Sequence, residues 1–195
     1  MFNQEGFDAM FNLFVPDIIY KSVYEIDFDS LKRRNITGLI FDIDNTLVSY
    51  RSERPDKNVI NLMGRLKRDG FTVCFVSNNN KRRVDIFNGD FKYFSFPNAK
   101  KPLIKSMRLA MKAMGLTYET TAVIGDQLFT DVAAARRIRA TAVLVTPIEP
   151  VDTLFFKFKR RLEKPFIKMY YKRLKILQKL QESKSLGELD KDGQI

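Results

Sequence analysis

The 195-residue sequence contains no histidine and only one cysteine. Without histidine, the chain cannot build a Ser-His-Asp or Cys-His catalytic centre, nor a metal site with imidazole ligands. The single cysteine, Cys74, cannot form a disulfide within the chain. Its apolar neighbours indicate a small core residue, which fits a protein of a reducing compartment.

Long apolar runs are also missing. No stretch approaches the roughly 18–20 apolar residues that are needed to span a bilayer. The start, Met1-Phe2-Asn3-Gln4-Glu5, lacks the basic and then apolar order of a signal peptide. With 45% hydrophobic residues, the chain can still build the core of one domain with extensions. We therefore expect a cytoplasmic protein.

Acidic residues are in the minority, with 23 against 34 basic residues and a net charge of +11. The excess is concentrated between residues 157 and 179, where ten basic residues and one acid give +9 and leave +2 for the rest. A basic segment attached to a nearly neutral domain indicates an anionic partner and says little about the core.

Short apolar runs alternate with helical patterns between residues 38 and 145, which predicts a parallel sheet with right-handed crossovers. The five predicted strands cover residues 39–43, 71–76, 93–96, 121–124 and 141–145. Pro102 suits the first turn of the helix that follows the third strand.

The same pattern divides the chain into four parts. We predict a lead-in over residues 1–37, a catalytic domain over 38–150, a basic amphipathic extension over 151–181 and a disordered tail over 182–195. In the lead-in, a short helix is expected to stop at Pro16. Packing of this segment on the core is favoured over a role in partner binding.

Polar residues lie at the ends of four of the predicted strands. They are Asp42, Asp44 and Thr46, then Ser77 and Asn78, then Lys101, then Asp126 and Asp131. Parallel strands end at one edge of a sheet, so these groups can converge there. Singly, each has a plain alternative as a turn residue, a helix cap or a solvated charge. Jointly, the acids, hydroxyl and lysine suit phosphoryl transfer assisted by Mg²⁺.

Four segments match the motifs of a known superfamily, in the same order. The segment Asp42-Ile43-Asp44-Asn45-Thr46 matches the DxDxT motif of haloacid dehalogenase (HAD) phosphatases. The second motif is matched by Val76-Ser77-Asn78, the third by Lys101-Pro102, and the fourth by Gly125-Asp126 with Thr130-Asp131. Residues 38–145 resemble this superfamily and, more narrowly, the bacterial YqeG family of its subclass IIIA. That family is related to mitochondrial and plastid phosphatidylglycerophosphate phosphatases. The resemblance implies a three-layer, HAD-like Rossmannoid α/β fold with a central parallel sheet.

The resemblance also implies a role for each residue. Asp42 would be the nucleophile, and Asp44, oriented by Thr46, would be the general acid and base. Thr46, Ser77, Asn78 and Lys101 would surround the phosphate, with Lys101 preferred over Lys100 because it directly precedes the proline. Asp42, the backbone carbonyl of Asp44, and Asp126 would hold Mg²⁺, while Asp131 would position water or Lys101.

The spacing of the motifs leaves no room for a cap domain. Between Thr46 and Phe71 there is room for a loop and one helix, and between Asn80 and Lys101 for one helix and one strand. The site should therefore be open, which favours a bulky substrate presented at a surface. By resemblance, we expect a Mg²⁺-dependent phosphatase that hydrolyses phosphatidylglycerophosphate or another bulky substrate presented at a surface.

The basic extension has an apolar face among its cations. The apolar positions are Leu154, Phe155, Phe158, Leu162, Ile167, Tyr170, Leu174 and Leu177. Such helices lie on anionic membranes, so one interpretation is that residues 154–179 contact the inner face of the membrane, and packing on the domain is weighted equally with it. RNA binding is the third interpretation. The alternative function is accordingly a HAD scaffold that binds RNA, ribosomal particles or an assembly GTPase. The oligomeric state is left open.

Overall fold

The computed structural model describes residues 12–149 and 161–179. The chain forms two compact units, Met1–Val151 and Asp152–Ile195. The first contains the sheet and the predicted catalytic residues.

A six-stranded parallel sheet lies at the centre of the first unit, in the order β1-β6-β5-β2-β3-β4. The strands are β1 (Ile18–Tyr20), β2 (Gly38–Phe41), β3 (Thr72–Val76), β4 (Phe94–Phe96), β5 (Thr121–Gly125) and β6 (Thr141–Val145). Every residue of β2 is buried, because this strand pairs with β3 on one side and β5 on the other and is covered on both faces.

The sheet alternates with short helices. These are α1 (Phe28–Arg33), α2 (Lys57–Arg68), α3 (Lys81–Asn88), α4 (Lys105–Met114) and α5 (Ala133–Arg137), with a 3₁₀ turn at Val23–Glu25 and a π-helical turn at Leu128–Val132. The side chains of Asp56 and Asn80 cap α2 and α3 by accepting hydrogen bonds from Val59 N and Arg83 N. Gly115 ends α4 with a φ of 68°, a left-handed conformation that favours glycine.

The α/β class and all five predicted strands are confirmed. Within residues 12–149 there is no cap domain, since only a loop and α2 lie between β2 and β3, and only α3 lies between β3 and β4. The central parallel sheet without a cap domain, as expected from the motifs, is therefore present within these residues.

The sixth strand, β1, was not predicted. Its three residues were assigned to the lead-in, and three apolar residues in a row are too few to reveal a strand. The strand exists because β6 offers it a partner. The Asp17 carboxylate also accepts hydrogen bonds from Ala142 N at 2.8 Å and Arg136 Nη1 at 2.7 Å, which holds β1 at the edge of the sheet.

The predicted position of Pro102 in the first turn of a helix is wrong, because α4 begins only at Lys105. The Asn78 side chain accepts a hydrogen bond from Lys101 N at 2.6 Å and donates one to Lys101 O at 3.3 Å. These bonds hold the chain beside the end of β3, so the helix starts later.

In the second unit, residues 161–179 are helical (α6). Phe166 and Tyr170 are buried in this helix, whereas Leu162 and Leu177 of the predicted apolar face are about half exposed. The predicted positions Leu154, Phe155 and Phe158 and the predicted disordered tail lie outside the described residues. Of the helices that the structure describes, none combines the length and apolar character required for a membrane span.

Candidate active site

The polar residues that follow β2, β3, β4 and β5 meet at the carboxyl edge of the sheet. All of the predicted site residues except Asn78 are buried there. A cleft of about 270 Å³ opens at this edge, lined by Asp42, Asp44, Tyr50, Ser77, Asn78, Asn79, Lys101, Gln127, Thr130 and Asp131. The parallel sheet is the cause of this convergence, because each strand delivers its following loop to the same side.

Lys101 lies at the centre of the cluster. Its ammonium nitrogen is 2.5 Å from Asp42 Oδ1 and 2.6 Å from Asp131 Oδ1, and it donates a hydrogen bond to Val76 O at 2.9 Å. Burial by itself would lower the pKa of Lys101, but the Asp131 and Asp42 carboxylates raise it above its usual value. Lys101 is therefore a buried, permanently charged cation and not a solvated surface lysine.

Asp42 faces Lys101 from the end of β2. Burial raises the pKa of Asp42 to about 7, Lys101 opposes this rise, and the neighbouring carboxylates of Asp131 and Asp44 add to it. The Lys101 ammonium is thus a positive charge that favours the ionised form of the Asp42 carboxylate against burial and the two neighbouring acids.

Three carboxylates form a candidate cation site. Asp42, Asp126 and Asp131 each offer one oxygen, and these oxygens lie within 4.8 Å of one another. Asp131 Oδ1 faces the Lys101 ammonium at 2.6 Å, so this carboxylate is shared between the lysine and the candidate cation site. A set of carboxylate oxygens fits Mg²⁺, a hard cation that prefers oxygen ligands.

The position of Asp131 depends on Gly125, at the end of β5. A Cβ atom on residue 125 would lie only 2.3 Å from Asp131 Cγ, so any side chain there would displace the carboxylate. Asp131 Oδ2 also accepts a hydrogen bond from Gln127 N at 3.2 Å. The structure thus brings Asp131 to both Lys101 and the candidate metal ligands, whereas the resemblance implied only that it positions water or Lys101.

The resemblance implied that Thr46 orients Asp44, and in the structure the hydroxyl of Thr46 is directed at two other acids. The Thr46 hydroxyl lies 3.4 Å from Asp42 Oδ2 and 3.3 Å from Asp126 Oδ1. It can donate its single proton to only one of them at a time, so it bridges two acids of the candidate cation site. The backbone around Thr46 turns sharply after β2, where Leu47 N and Val48 N both donate to Ile43 O.

Asn78 and Ser77 have different surroundings although they are neighbours. Asn78 is exposed, and its amide holds the Lys101 backbone, so it acts here by positioning the lysine. The buried Ser77 hydroxyl accepts a hydrogen bond from Asn79 N at 3.0 Å and donates to Asp44 Oδ2 at 3.4 Å. Ser77 is therefore the cleft-facing hydroxyl of this loop.

Two residues that contact Asp44 were not predicted. The buried Arg83 on α3 donates to Asp44 Oδ1 from Nε at 3.2 Å and from Nη2 at 2.9 Å. Asn79 Nδ2 donates to Asp44 Oδ2 at 3.2 Å. Arg83 is the third of three consecutive cations, and only its burial in the folded chain distinguishes it from Lys81 and Arg82.

The comparisons with known proteins agree with this geometry. A family model described as HAD-hydrolase-like matches residues 98–147. Over 151 residues the chain is 36% identical to Probable phosphatase YqeG of Bacillus subtilis (strain 168), with 77% of this chain and 88% of that protein covered. The chain belongs to the YqeG family of HAD phosphatases. The family expected from the four motifs is confirmed, and with it the class of enzyme.

Solved structures resemble this YqeG-family chain more loosely. One is the cobalt-bound deoxy-D-mannose-octulosonate 8-phosphate phosphatase YrbI of Haemophilus influenzae. The two sequences are 16% identical, the match covers 71% of this chain and 91% of that one, and the TM-score is 0.47. Another is the 3-deoxy-D-manno-octulosonate 8-phosphate phosphatase of Moraxella catarrhalis, solved with magnesium, phosphate and KDO. The two sequences are 14% identical, the match covers 59% of this chain and 80% of that one, and the TM-score is 0.43. At such values neither informs the role of a residue here.

Proposed function

We propose that this YqeG-family chain is a Mg²⁺-dependent phosphatase that hydrolyses a phosphate monoester through an aspartyl-phosphate on Asp42. The observation that carries the proposal is the buried cluster in which Lys101 lies against Asp42 and Asp131 beside Asp126. Asp42, Asp126 and Asp131 would hold Mg²⁺, which when bound neutralises negative charge on the phosphate oxygens.

The residues of the cleft divide the reaction into two displacements. In the first, a carboxylate oxygen of Asp42 attacks phosphorus while the bond from phosphorus to the leaving oxygen breaks, and Asp44 gives that oxygen a proton. In the second, Asp44 takes a proton from water, which attacks the same phosphorus and releases inorganic phosphate and free Asp42. The Lys101 ammonium and the Ser77 hydroxyl stabilise the charge on the phosphoryl oxygens.

The nucleophile is tested with Asp42→Asn, which keeps the shape of the side chain but cannot form a hydrolysable acyl phosphate. Removing a covalent nucleophile should lower turnover of p-nitrophenyl phosphate by at least ~10³-fold. Asp90→Asn, at an exposed acid, is the matched control and should leave turnover unchanged. Wild-type turnover by Asp42→Asn, in a folded protein with Mg²⁺, would contradict the assignment.

For the substrate, we propose phosphatidylglycerophosphate. The cleft of about 270 Å³ is smaller than the roughly 300–1,000 Å³ of sites that enclose drug-sized ligands. It can take a phosphate and the atoms next to it while the rest of a bulky substrate stays outside. Within residues 12–149 no cap closes over the cleft. The YqeG family is also related to phosphatidylglycerophosphate phosphatases of mitochondria and plastids.

A row of cations on α6 supports a membrane-borne substrate. Exposed basic residues three or four positions apart lie along one side of this helix, namely Arg161, Lys164, Lys168, Lys172, Lys175 and Lys179. Phe166 and Tyr170, on the opposite side, are buried. The row therefore offers charge to an anionic membrane, and each cation near such a surface contributes about 1 kcal/mol.

The row is tested in the full chain by changing Lys168, Lys172, Lys175 and Lys179 together to glutamine. Losing about 4 kcal/mol should weaken binding to phosphatidylglycerol vesicles by roughly three orders of magnitude at low salt. Turnover of vesicle-borne phosphatidylglycerophosphate should fall, while turnover of p-nitrophenyl phosphate should not. The matched control changes four exposed lysines of the first unit, Lys57, Lys67, Lys105 and Lys112.

The same experiment separates the membrane from RNA. Equal vesicle binding by both quadruple variants would remove the membrane role of α6. Salt-dependent binding of RNA that requires the α6 lysines, in a protein without phosphatase activity, would instead support a HAD scaffold that binds ribosomal particles.

A further inference from the structure

Arg83 is a buried cation that the proposed mechanism does not use. Its side chain is 9% exposed and lies behind Asp44, while the described residues that line the cleft include Asp44, Ser77 and Asn79 but not Arg83. Besides Asp44, it binds the loop that follows β2, donating to Ser52 O at 2.5 Å and to Glu53 O at 2.6 Å. One guanidinium thus joins α3, Asp44 and this loop.

The two oxygens of Asp44 have different surroundings as a result. Oδ1 receives two N–H groups from Arg83, at 3.2 and 2.9 Å. Oδ2 is directed at two cleft-lining residues, Ser77 at 3.4 Å and Asn79 at 3.2 Å. Two donors of the planar guanidinium hold Oδ1, and the contacts with Ser77 and Asn79 hold Oδ2, so together they fix the orientation of the carboxylate.

We propose that Arg83 is a positioning residue that directs Asp44 Oδ2 into the cleft as the oxygen that transfers the proton. The inference rests on the proposed function, in which Asp44 serves the leaving oxygen and then water. Arg83 touches neither substrate nor metal in this scheme. It acts by occupying Oδ1 and by holding the loop at Ser52 and Glu53.

The test compares two esters that differ in their need for a proton. The leaving oxygen of p-nitrophenyl phosphate departs readily without one, whereas that of glycerol 3-phosphate requires protonation. Since kcat/KM reports the steps up to departure of the leaving group, the later hydrolysis of the intermediate does not enter the comparison. General acid catalysis is worth about 10²–10⁴-fold, so its partial loss is measurable.

Arg83→Met should lower kcat/KM for glycerol 3-phosphate at least ~10-fold more than for p-nitrophenyl phosphate. Arg83→Lys, which keeps the charge but not the double contact, should show a smaller difference. Arg82→Met, at the exposed neighbouring arginine, is the matched control and should change neither value. Equal losses for the two esters in Arg83→Met would overturn the proposal.

A double-mutant cycle separates positioning from general damage. In an Asp44→Asn background, Arg83→Met should not change the ratio of the two kcat/KM values further, because there is no proton left to direct. An additive effect would show that Arg83 acts elsewhere.

Hydrogen exchange provides a readout that needs no activity. Amides in residues 46–54 should exchange faster in Arg83→Met than in wild type or Arg82→Met, and unchanged exchange would refute the tie to the loop. A wild type that hydrolyses neither ester would refute the proposed function instead, and this measurement would still decide whether Arg83 holds the loop. If Arg83→Met does not fold, Arg83→Lys provides both readouts.

Discussion

Replacing Lys101 with methionine removes the cation that lies between the buried carboxylates of Asp42 and Asp131, and it keeps a side chain of similar length. Asp42 and Asp131 lose a partner at 2.5 and 2.6 Å, in a side chain that is only 2% exposed. Removing one partner of a buried ion pair costs about 3–5 kcal/mol, because the remaining charge is uncompensated. At about 2–4 °C per kcal/mol for a protein of this size, the metal-free protein should melt roughly 6–20 °C lower.

The loss should depend on pH and on Mg²⁺. Without Lys101 the pKa of Asp42 rises further, so the acid is neutral at pH 5 and the cost there should be smaller than at pH 8. Mg²⁺ restores positive charge between the acids, so it should raise the melting temperature of Lys101→Met more than that of wild type.

The assay is thermal unfolding of wild type, Lys101→Met and Lys100→Met, in EDTA and in Mg²⁺. Lys100 is exposed, and its replacement should change the stability by no more than about 0.5 kcal/mol. Equal melting temperatures for the two variants would refute the reasoning, since Lys101 would then compensate no buried charge.

Two further predictions concern the same cluster. Gly125→Ala places a Cβ 2.3 Å from Asp131 Cγ, so we expect about 1–3 kcal/mol of destabilisation and weaker Mg²⁺ binding by calorimetry; wild-type affinity would contradict this. Burial raises the pKa of Asp42 from 3.8 to about 7, so the metal-free folded protein binds the proton more tightly than the unfolded chain does. The contribution of Asp42 to the free energy of unfolding therefore falls as the pH rises from about 4 to 7. Asp42→Asn should therefore gain stability relative to wild type between about pH 4 and 7 in EDTA, and a difference that stays constant with pH would count against the shift.

The convergence of the cluster could be predicted from the sequence because it depends on short-range patterns. Apolar runs identify the strands, alternation with helices makes them parallel, and parallel strands end at one edge. Asp42 and Asp126 follow directly after two such strands, so their proximity depends on backbone order alone. The family could be predicted for the same reason, since its motifs occupy these strand ends.

Only the tertiary structure decided which side chains pair at that edge. Thr46 bridges Asp42 and Asp126, Asn78 holds the Lys101 backbone, and Arg83 holds Asp44. The motifs identified Thr46 and Asn78 as site residues but not these partners, and Arg83 belongs to none of the four motifs. Such pairs depend on loop paths and rotamers that are set by residues far away in the chain. The strand β1 has the same origin, since its three residues become a strand only where β6 lies beside them.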